Sequence, residues 1–224
     1  MLEVLHIDGN QYKIAFDIYM AYIDYDRKLK METDMRVSRV QAEENRETVI
    51  NVASKLFRER GFDGIGLKDV MASAGLTQGA FYKQFKSKED LTAQASTRAF
   101  EGAAARWEHA SREHPEDPIG AIIDFYLTRD HRLERQEGCP IVALGADAAR
   151  QSEEVRASFE AGIRNHLRIL SEASAGTDHT AASIHPMAIL STMVGAVLLS
   201  RAVNDEVLSD EILEAAAASI RSLT

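Results

Sequence analysis

Four residues between positions 78 and 83, one glycine and three with polar side chains, form the clearest candidate site in this sequence. Gln78, Gly79, Tyr82 and Lys83 lie close enough in the chain to share one face of a short helix. An amide can read a base edge, a glycine allows a close approach, and a phenol and an ammonium can meet phosphates. These residue types therefore favour binding to DNA over a chemical reaction.

The surrounding stretch predicts the two helices that would present this face. Apolar residues recur at helical spacing in a first helix that ends at a compact corner around Gly75, after which the Thr77 hydroxyl can cap a second helix. Phe81 and Phe85 lie four residues apart and would anchor the second helix in the interior. A glycine-containing corner of this kind is typical of the helix-turn-helix, whose second helix enters the major groove of DNA.

These residues resemble the DNA-binding domain of the TetR (tetracycline-repressor-like) family. The resemblance covers Arg46 to Leu91 and rests on the stretches ASKLFRERGFDG, LKDVMASAGLTQGAFYKQF and KSKEDL. It implies an all-α fold in which three helices form a DNA-binding head and a fourth helix links the head to a ligand-binding body. Gly66 departs from the serine or threonine that is usual in the family, so no hydroxyl is available there for a phosphate. The DNA-binding residues predicted by motif and resemblance together are Arg46, Lys68, Thr77, Gln78, Gly79, Tyr82, Lys83 and Lys88.

The overall charge alone would argue against a nucleic-acid partner, but its distribution agrees with one. The 224-residue chain carries a net charge of −9, whereas residues 36–96 hold ten basic and eight acidic side chains and are net positive. The sequence contains no Gly-rich phosphate loop, no serine elbow and no pair of histidines at metal-ligand spacing. We therefore expect no catalytic residues, no metal and no cofactor.

Residues 1–35 differ in pattern from the rest and are interpreted as an extension before the DNA-binding domain. Apolar residues alternate from Tyr12 to Ile18 after a turn signal at residues 8–10, a pattern typical of a β-hairpin. Met35 also resembles a natural first residue. The extension is thus interpreted as either non-native or the product of an upstream start, and no function is assigned to it.

From residue 41 onward the sequence predicts helices and no strand. We expect residues 36–90 to form the helix-turn-helix domain and residues 91–224 to form a domain for ligand binding and dimerisation. The last two helices are rich in small and apolar residues, and the resemblance implies that they pair with their counterparts in a homodimer. Two heads would then meet successive major grooves of a double-stranded operator. The nine predicted helices lie near 41–60, 67–74, 77–85, 88–112, 118–133, 141–150, 153–173, 183–204 and 209–222.

The body supplies candidate contacts for a small-molecule effector. The segment 138–145 resembles one found in a branch of the family, and we expect it to begin a short helix at Pro140 and to relay ligand binding to the head. Cys139 can be a small buried hydrophobe, an oxidant- or electrophile-sensing thiol, or, least in keeping with its surroundings, a nucleophile. The candidate ligand contacts are the bulkier or less apolar body residues Trp107, Phe125, Tyr126, His131, Phe159, His166 and Met193.

The sequence as a whole predicts a DNA-binding transcription regulator that a small molecule releases from its operator. No apolar run reaches the roughly 18 residues of a membrane helix, so we expect a cytoplasmic protein without a membrane partner. Three alternatives remain open at this point: a repressor that senses oxidants through Cys139, a ligand-binding protein that has lost DNA binding, and an enzyme on a helical scaffold. Gly66 and the acidic composition support the second alternative, and no convergent set of titratable residues supports the third.

Overall fold

In the computed structural model the described residues, 9–174 and 186–222, form ten α-helices and no strand. This confirms the predicted all-α fold. The helices are α1 (Gly9–Arg60), α2 (Leu67–Ser73), α3 (Gln78–Phe81), α4 (Lys88–Glu113), α5 (Pro118–Tyr126), α6 (Arg129–Leu133), α7 (Pro140–Ala148), α8 (Glu153–Ser174), α9 (Pro186–Ala202) and α10 (Glu206–Arg221).

The chain divides into two units, residues 1–46 and residues 47–224. In the first unit the prediction of a second hairpin strand at residues 12–18 is wrong. These residues are helical, because α1 begins at Gly9 rather than near residue 41. The first strand of that hairpin, before residue 9, lies outside the described residues. Local helical hydrogen bonds need no partner strand, whereas a two-stranded hairpin is marginal in water without something to pack on.

Two glycines end helices in the head in the way the sequence predicts. Gly61 follows α1 with a φ of +79°, and Gly75 follows α2 with a φ of +71°. Both lie in the left-handed region that other residues rarely adopt. The Gly61 amide donates to the Phe57 carbonyl at 2.8 Å, which closes the last turn of α1.

Side-chain caps set the limits of the helices that follow the head. The Ser87 hydroxyl accepts from the Asp90 amide at 3.2 Å and starts α4, as predicted. The single helix expected over 118–133 is wrong, because Thr128 interrupts it and its hydroxyl accepts from the His131 amide at 3.1 Å to begin α6. Asp205 caps α10 by accepting from the Val207 amide at 2.9 Å.

The apolar interior consists of two clusters, one around the head and one within the body. Helix α7 contributes to both, since Leu144 and Ala148 pack in the head-side cluster while Val142 packs in the body cluster together with Cys139 just before the helix. A displacement of α7 would therefore change the packing of both clusters. Of the helices described, none is long and apolar enough to cross a membrane.

Candidate nucleic-acid interface and effector site

Two phenylalanines fix the short helix α3 in the head. Phe81 and Phe85 are buried, and their rings stack with centroids 5.3 Å apart. Aromatic pairs of this kind stabilise a core beyond the area that they bury. Because α3 itself has only four residues, its orientation depends on these two anchors rather than on its own helical stability.

The opposite side of α3 faces solvent. Tyr82 is 71% exposed, and Gln78, Gly79 and Lys83 are also exposed. A Cβ atom added at Gly79 would meet no atom of the protein closer than 4.0 Å, so the surface is open at this point. We call the exposed residues 77–79, 82 and 83 the recognition face.

Thr77 occupies the predicted cap position, but its side chain does not act as predicted. Its φ and ψ of −83° and 153° are those of a helix cap, yet its hydroxyl accepts no hydrogen bond from the helix. The hydroxyl is exposed on the recognition face. Gly66 holds the matching position before α2 with a φ of −80° and no side chain to cap it.

The other predicted DNA-binding residues occupy three different environments. Lys68 is exposed in the first turn of α2. Lys88 is half-buried, its ammonium donates to the Phe62 carbonyl at 2.9 Å, and it lies 3.8 Å from an Asp63 carboxylate oxygen. In this arrangement Lys88 ties the start of α4 to the loop between α1 and α2. Arg46 is half-buried in the unit of residues 1–46.

The residues predicted to contact a ligand are brought together, but most of them fill the body core. Trp107, Tyr126, His166 and Met193 are all buried. Ring contacts link the aromatic members of the set in a chain, including Trp107 to His166 at 4.4 Å and Tyr126 to His131 at 4.4 Å between centroids. A ligand could reach these side chains only if the core opened.

His131 joins three consecutive elements of the body. Its Nδ1 donates to the Tyr126 carbonyl at 2.7 Å, and its Nε2 accepts from the Cys139 amide at 3.2 Å. Only the neutral ring can accept at Nε2 while donating at Nδ1. Burial lowers the pKa of His131 to about 4, which agrees with a neutral ring.

Cys139 is buried at the start of α7, next to the Tyr126 hydroxyl. Burial raises the pKa of the Cys139 thiol, and it also raises the pKa of Tyr126 well above its usual value. A thiol with a raised pKa holds little of the thiolate that reacts with oxidants and electrophiles. The side chain therefore packs as a small buried hydrophobe, and the alternative that it senses oxidants or electrophiles stays a prediction.

A buried arginine that sequence reasoning missed connects the head to the segment before α7. Arg58 of α1 donates to the Gly138 carbonyl at 3.1 Å and lies 3.5 Å from a Glu137 carboxylate oxygen. Burial lowers the pKa of Arg58, and the nearby Glu137 carboxylate opposes that effect. One signal was available: Ile50, Ser54 and Arg58 follow each other at four-residue spacing, which places the arginine on a row that turns inward.

A second arginine holds the other side of the same segment. The Arg201 guanidinium of α9 donates to the carbonyls of Arg132 at 2.8 Å, of His131 at 3.0 Å and of Glu134 at 3.2 Å. The segment from 131 to 139 is thus held by the head on one side and by the last helices on the other. No periodic pattern marks Arg201, since its partners are backbone atoms distant in the sequence.

Open grooves border the body helices. The larger, of about 820 Å³, lies between α7, α8 and α9, and the smaller, of about 510 Å³, lies beside the end of α4 and the start of α5. Of the seven predicted ligand contacts, Phe159 borders the larger groove and Phe125 borders the smaller one. The larger groove lies within the size range of small-molecule sites.

Two family models match this arrangement of a head and a body. Residues 49–95 match the model described as "Bacterial regulatory proteins, tetR family", and residues 115–218 match "Transcriptional regulator LmrA/YxaF-like, C-terminal domain". The chain belongs to the TetR family. It is a DNA-binding transcriptional regulator, as the helix-turn-helix predicts. The domain limits predicted at 36–90 and 91–224 stay predictions.

Relatives and solved structures of the TetR family agree with this assignment. The transcriptional repressor NemR of Escherichia coli strain K12 is 26% identical over 133 residues, which cover 58% of this chain and 67% of NemR. A TetR regulator from Chloroflexus aurantiacus is 27% identical with a TM-score of 0.67, covering 81% of this chain and 94% of that one. AibR, solved with isovaleryl coenzyme A and operator DNA, shares the fold at 16% identity and a TM-score of 0.54, covering 79% and 97%. These similar proteins are regulators rather than enzymes.

Proposed function

We propose that the protein acts as a homodimeric repressor in the cytoplasm, and that a small molecule bound to its body releases it from its operator. The observation that carries this proposal is the position of α7. Leu144 and Ala148 pack with the head while Val142 packs with the body, and Arg58 of α1 is bonded to Gly138 just before the helix. A ligand that moves α7 would thereby move the head.

The outer face of the last two helices supports a dimer. Leu198 and Leu199 of α9 are 53% and 57% exposed, and Val207 of α10 is 67% exposed. Contiguous exposed apolar side chains on a soluble domain mark an interaction surface. Two copies joined there would carry two recognition faces, and operator recognition by helix-turn-helix proteins requires two heads about 34 Å apart.

Control by a ligand requires only that the ligand bind the operator-bound and the released state of the protein with different affinities. An effector that prefers the released state by about a hundredfold contributes about 2.7 kcal/mol, which turns a roughly tenfold excess of bound operator into a roughly tenfold excess of free operator. AibR, which has this fold, was solved with both an acyl coenzyme A and operator DNA. By analogy we assign this chain an effector site in the body and a DNA site in the head.

The test is the binding of the full-length chain to labelled duplexes from its own upstream DNA at several salt concentrations. We expect Tyr82→Ala to abolish specific binding. Lys83→Ala should reduce the slope of log affinity against log salt by about one unit for each head, because it removes one phosphate contact. Arg112→Ala, which removes an exposed cation of the body, is the control. Wild-type affinity and an unchanged salt slope in both head variants would reject the recognition face.

A further inference from the structure

The larger groove has an apolar floor made by three helices. Phe159, Ile163 and Leu167 lie along α8, Ile141 contributes from α7 and Leu190 from α9. From Phe159 to Leu167 the helix rises by about 12 Å. The groove therefore fits an extended apolar chain that lies along α8.

The edge of this groove is positive in a protein whose net charge is −9. Arg156, Glu160 and Arg164 line the groove, and a continuation of about 380 Å³ adds Arg168. In the larger groove two guanidinium groups thus face one carboxylate, while Arg168 in the continuation is paired with Glu108 and Glu172. The local charge complements an anion rather than a cation.

Two of these arginines already have partners, and one does not. Arg164 pairs with Glu160 at 2.6 Å, and Arg168 pairs with Glu172 at 2.6 Å. The Arg156 side chain has no hydrogen-bonded or ionic partner within 9–174 and 186–222. It lies one helical turn before Phe159, at one end of the apolar floor.

We propose that this groove binds an amphipathic carboxylate, with the anionic head at Arg156 and the apolar chain along Phe159, Ile163 and Leu167. The inference rests on the proposed function in one respect, namely that this ligand is the effector. Ala148 borders the groove and also packs in the head-side cluster. An occupant of the groove would thus press directly on α7.

The probe is sodium decanoate, whose chain matches the length of the floor, titrated calorimetrically into the full-length protein without DNA. Decan-1-ol and decyltrimethylammonium have the same chain with a neutral and a cationic head. We expect decanoate to bind most tightly and the cation most weakly. Equal or tighter binding of the cation would overturn the proposal.

Two variants with matched controls locate the site. Arg156→Gln should weaken decanoate about fivefold and leave decan-1-ol unchanged, because only the charged head loses its partner, whereas Arg112→Gln should change neither. Ala149→Leu adds bulk at an exposed residue that lines the groove, and should weaken decanoate and decan-1-ol at least tenfold. Ala146→Leu adds the same bulk three residues earlier, at an exposed position of α7 that does not line the groove, and should have no effect.

The alternative occupant is a second copy of the chain. If Ala149→Leu turned a dimer into a monomer in sedimentation and left decanoate binding unchanged, the groove would be an interface between copies and the proposal would fail. Because the titration contains no DNA, a protein that binds its operator but not decanoate would overturn this inference alone. A protein that binds decanoate without operator binding would overturn the proposed function and leave the groove assignment standing.

Discussion

Arg58 donates a hydrogen bond to the Gly138 carbonyl at 3.1 Å, although the two residues lie 80 positions apart in the chain. The arginine belongs to the last turns of α1, next to the head, and the glycine precedes α7 in the body. Both residues are buried. This bond is a buried polar connection between the head and the segment that we assign to effector response.

Substitution of Arg58 should lower the stability of the protein and weaken the coupling between effector binding and operator release. Arg58→Met leaves the buried Gly138 carbonyl without its donor, at a cost of about 1–3 kcal/mol, and it also removes the contacts of Arg58 with Ser54 and Glu137. We expect the free energy of unfolding in urea to fall by this amount, and the effector concentration needed for operator release to change. Arg60→Met, on the same helix with a half-exposed side chain, should stay within about 0.5 kcal/mol. Equal stability of the two variants would show that the bond contributes nothing.

Stability should depend on pH through His131. Burial lowers the pKa of its ring to about 4 in the folded protein, from about 6.5 for a solvated imidazole. The folded chain resists protonation, so this stabilisation is complete above about pH 6.5 and is lost as the pH falls toward about 4. The shift corresponds to roughly 3 kcal/mol in total, of which roughly 2 kcal/mol should be lost by pH 5.

The measurement is urea unfolding of wild type and His131→Gln between pH 7.5 and pH 5. Carboxylates titrate in both proteins, as does His166, whose pKa burial also lowers. The difference between the two curves therefore isolates His131. Parallel curves would mean that the ring is not held neutral by its surroundings.

Cys139 should react slowly in the native protein. It is buried and its thiol has a raised pKa, so a disulfide reagent such as Ellman's reagent must wait for local opening. We expect labelling that is slow in buffer and fast in denaturant. Ala146→Cys supplies an exposed thiol on α7, the helix that Cys139 precedes, as an internal reference. Labelling of Cys139 as fast as that reference would support the redox-sensing alternative.

A charge on the outer face of α9 should prevent dimerisation. Leu198→Arg places a guanidinium at the centre of the proposed interface, where an unpaired charge would lose its hydration. We expect sedimentation equilibrium to give a monomer and operator affinity to fall by at least a hundredfold. Leu133→Arg changes a leucine of similar exposure on α6 and should remain dimeric. A dimeric Leu198→Arg protein would place the interface elsewhere.

Several helix limits in the head could be predicted from the sequence because local signals set them. Gly61, Gly75 and Ser87 mark the helix limits by backbone conformation and capping, and the spacing of Phe81 and Phe85 orients α3. Such signals act within a few residues of the chain. The hairpin prediction failed where the alternation of apolar residues was short and a helix could satisfy the backbone without a partner.

The effector region could not be predicted in the same way. His166, Trp107 and Tyr126 had the residue types of ligand contacts, but they pack against one another and fill the core. The larger groove instead lies where three helices meet, and Arg156 on its edge carries no sequence signal that separates it from other surface arginines. Side-chain type alone does not tell a filled interior from an open one.

The sequence by itself determined the family, the all-α fold and the chemistry of the recognition face, because helix signals and motif residues act over short distances along the chain. Only the tertiary structure decided which body residues form the core and which border a groove. It also decided that Lys88 donates to the Phe62 carbonyl and that Arg58 donates to the Gly138 carbonyl. These relations depend on how helices distant in sequence pack together. Packing depends on the combined shapes of many side chains, so no single stretch of sequence contains it.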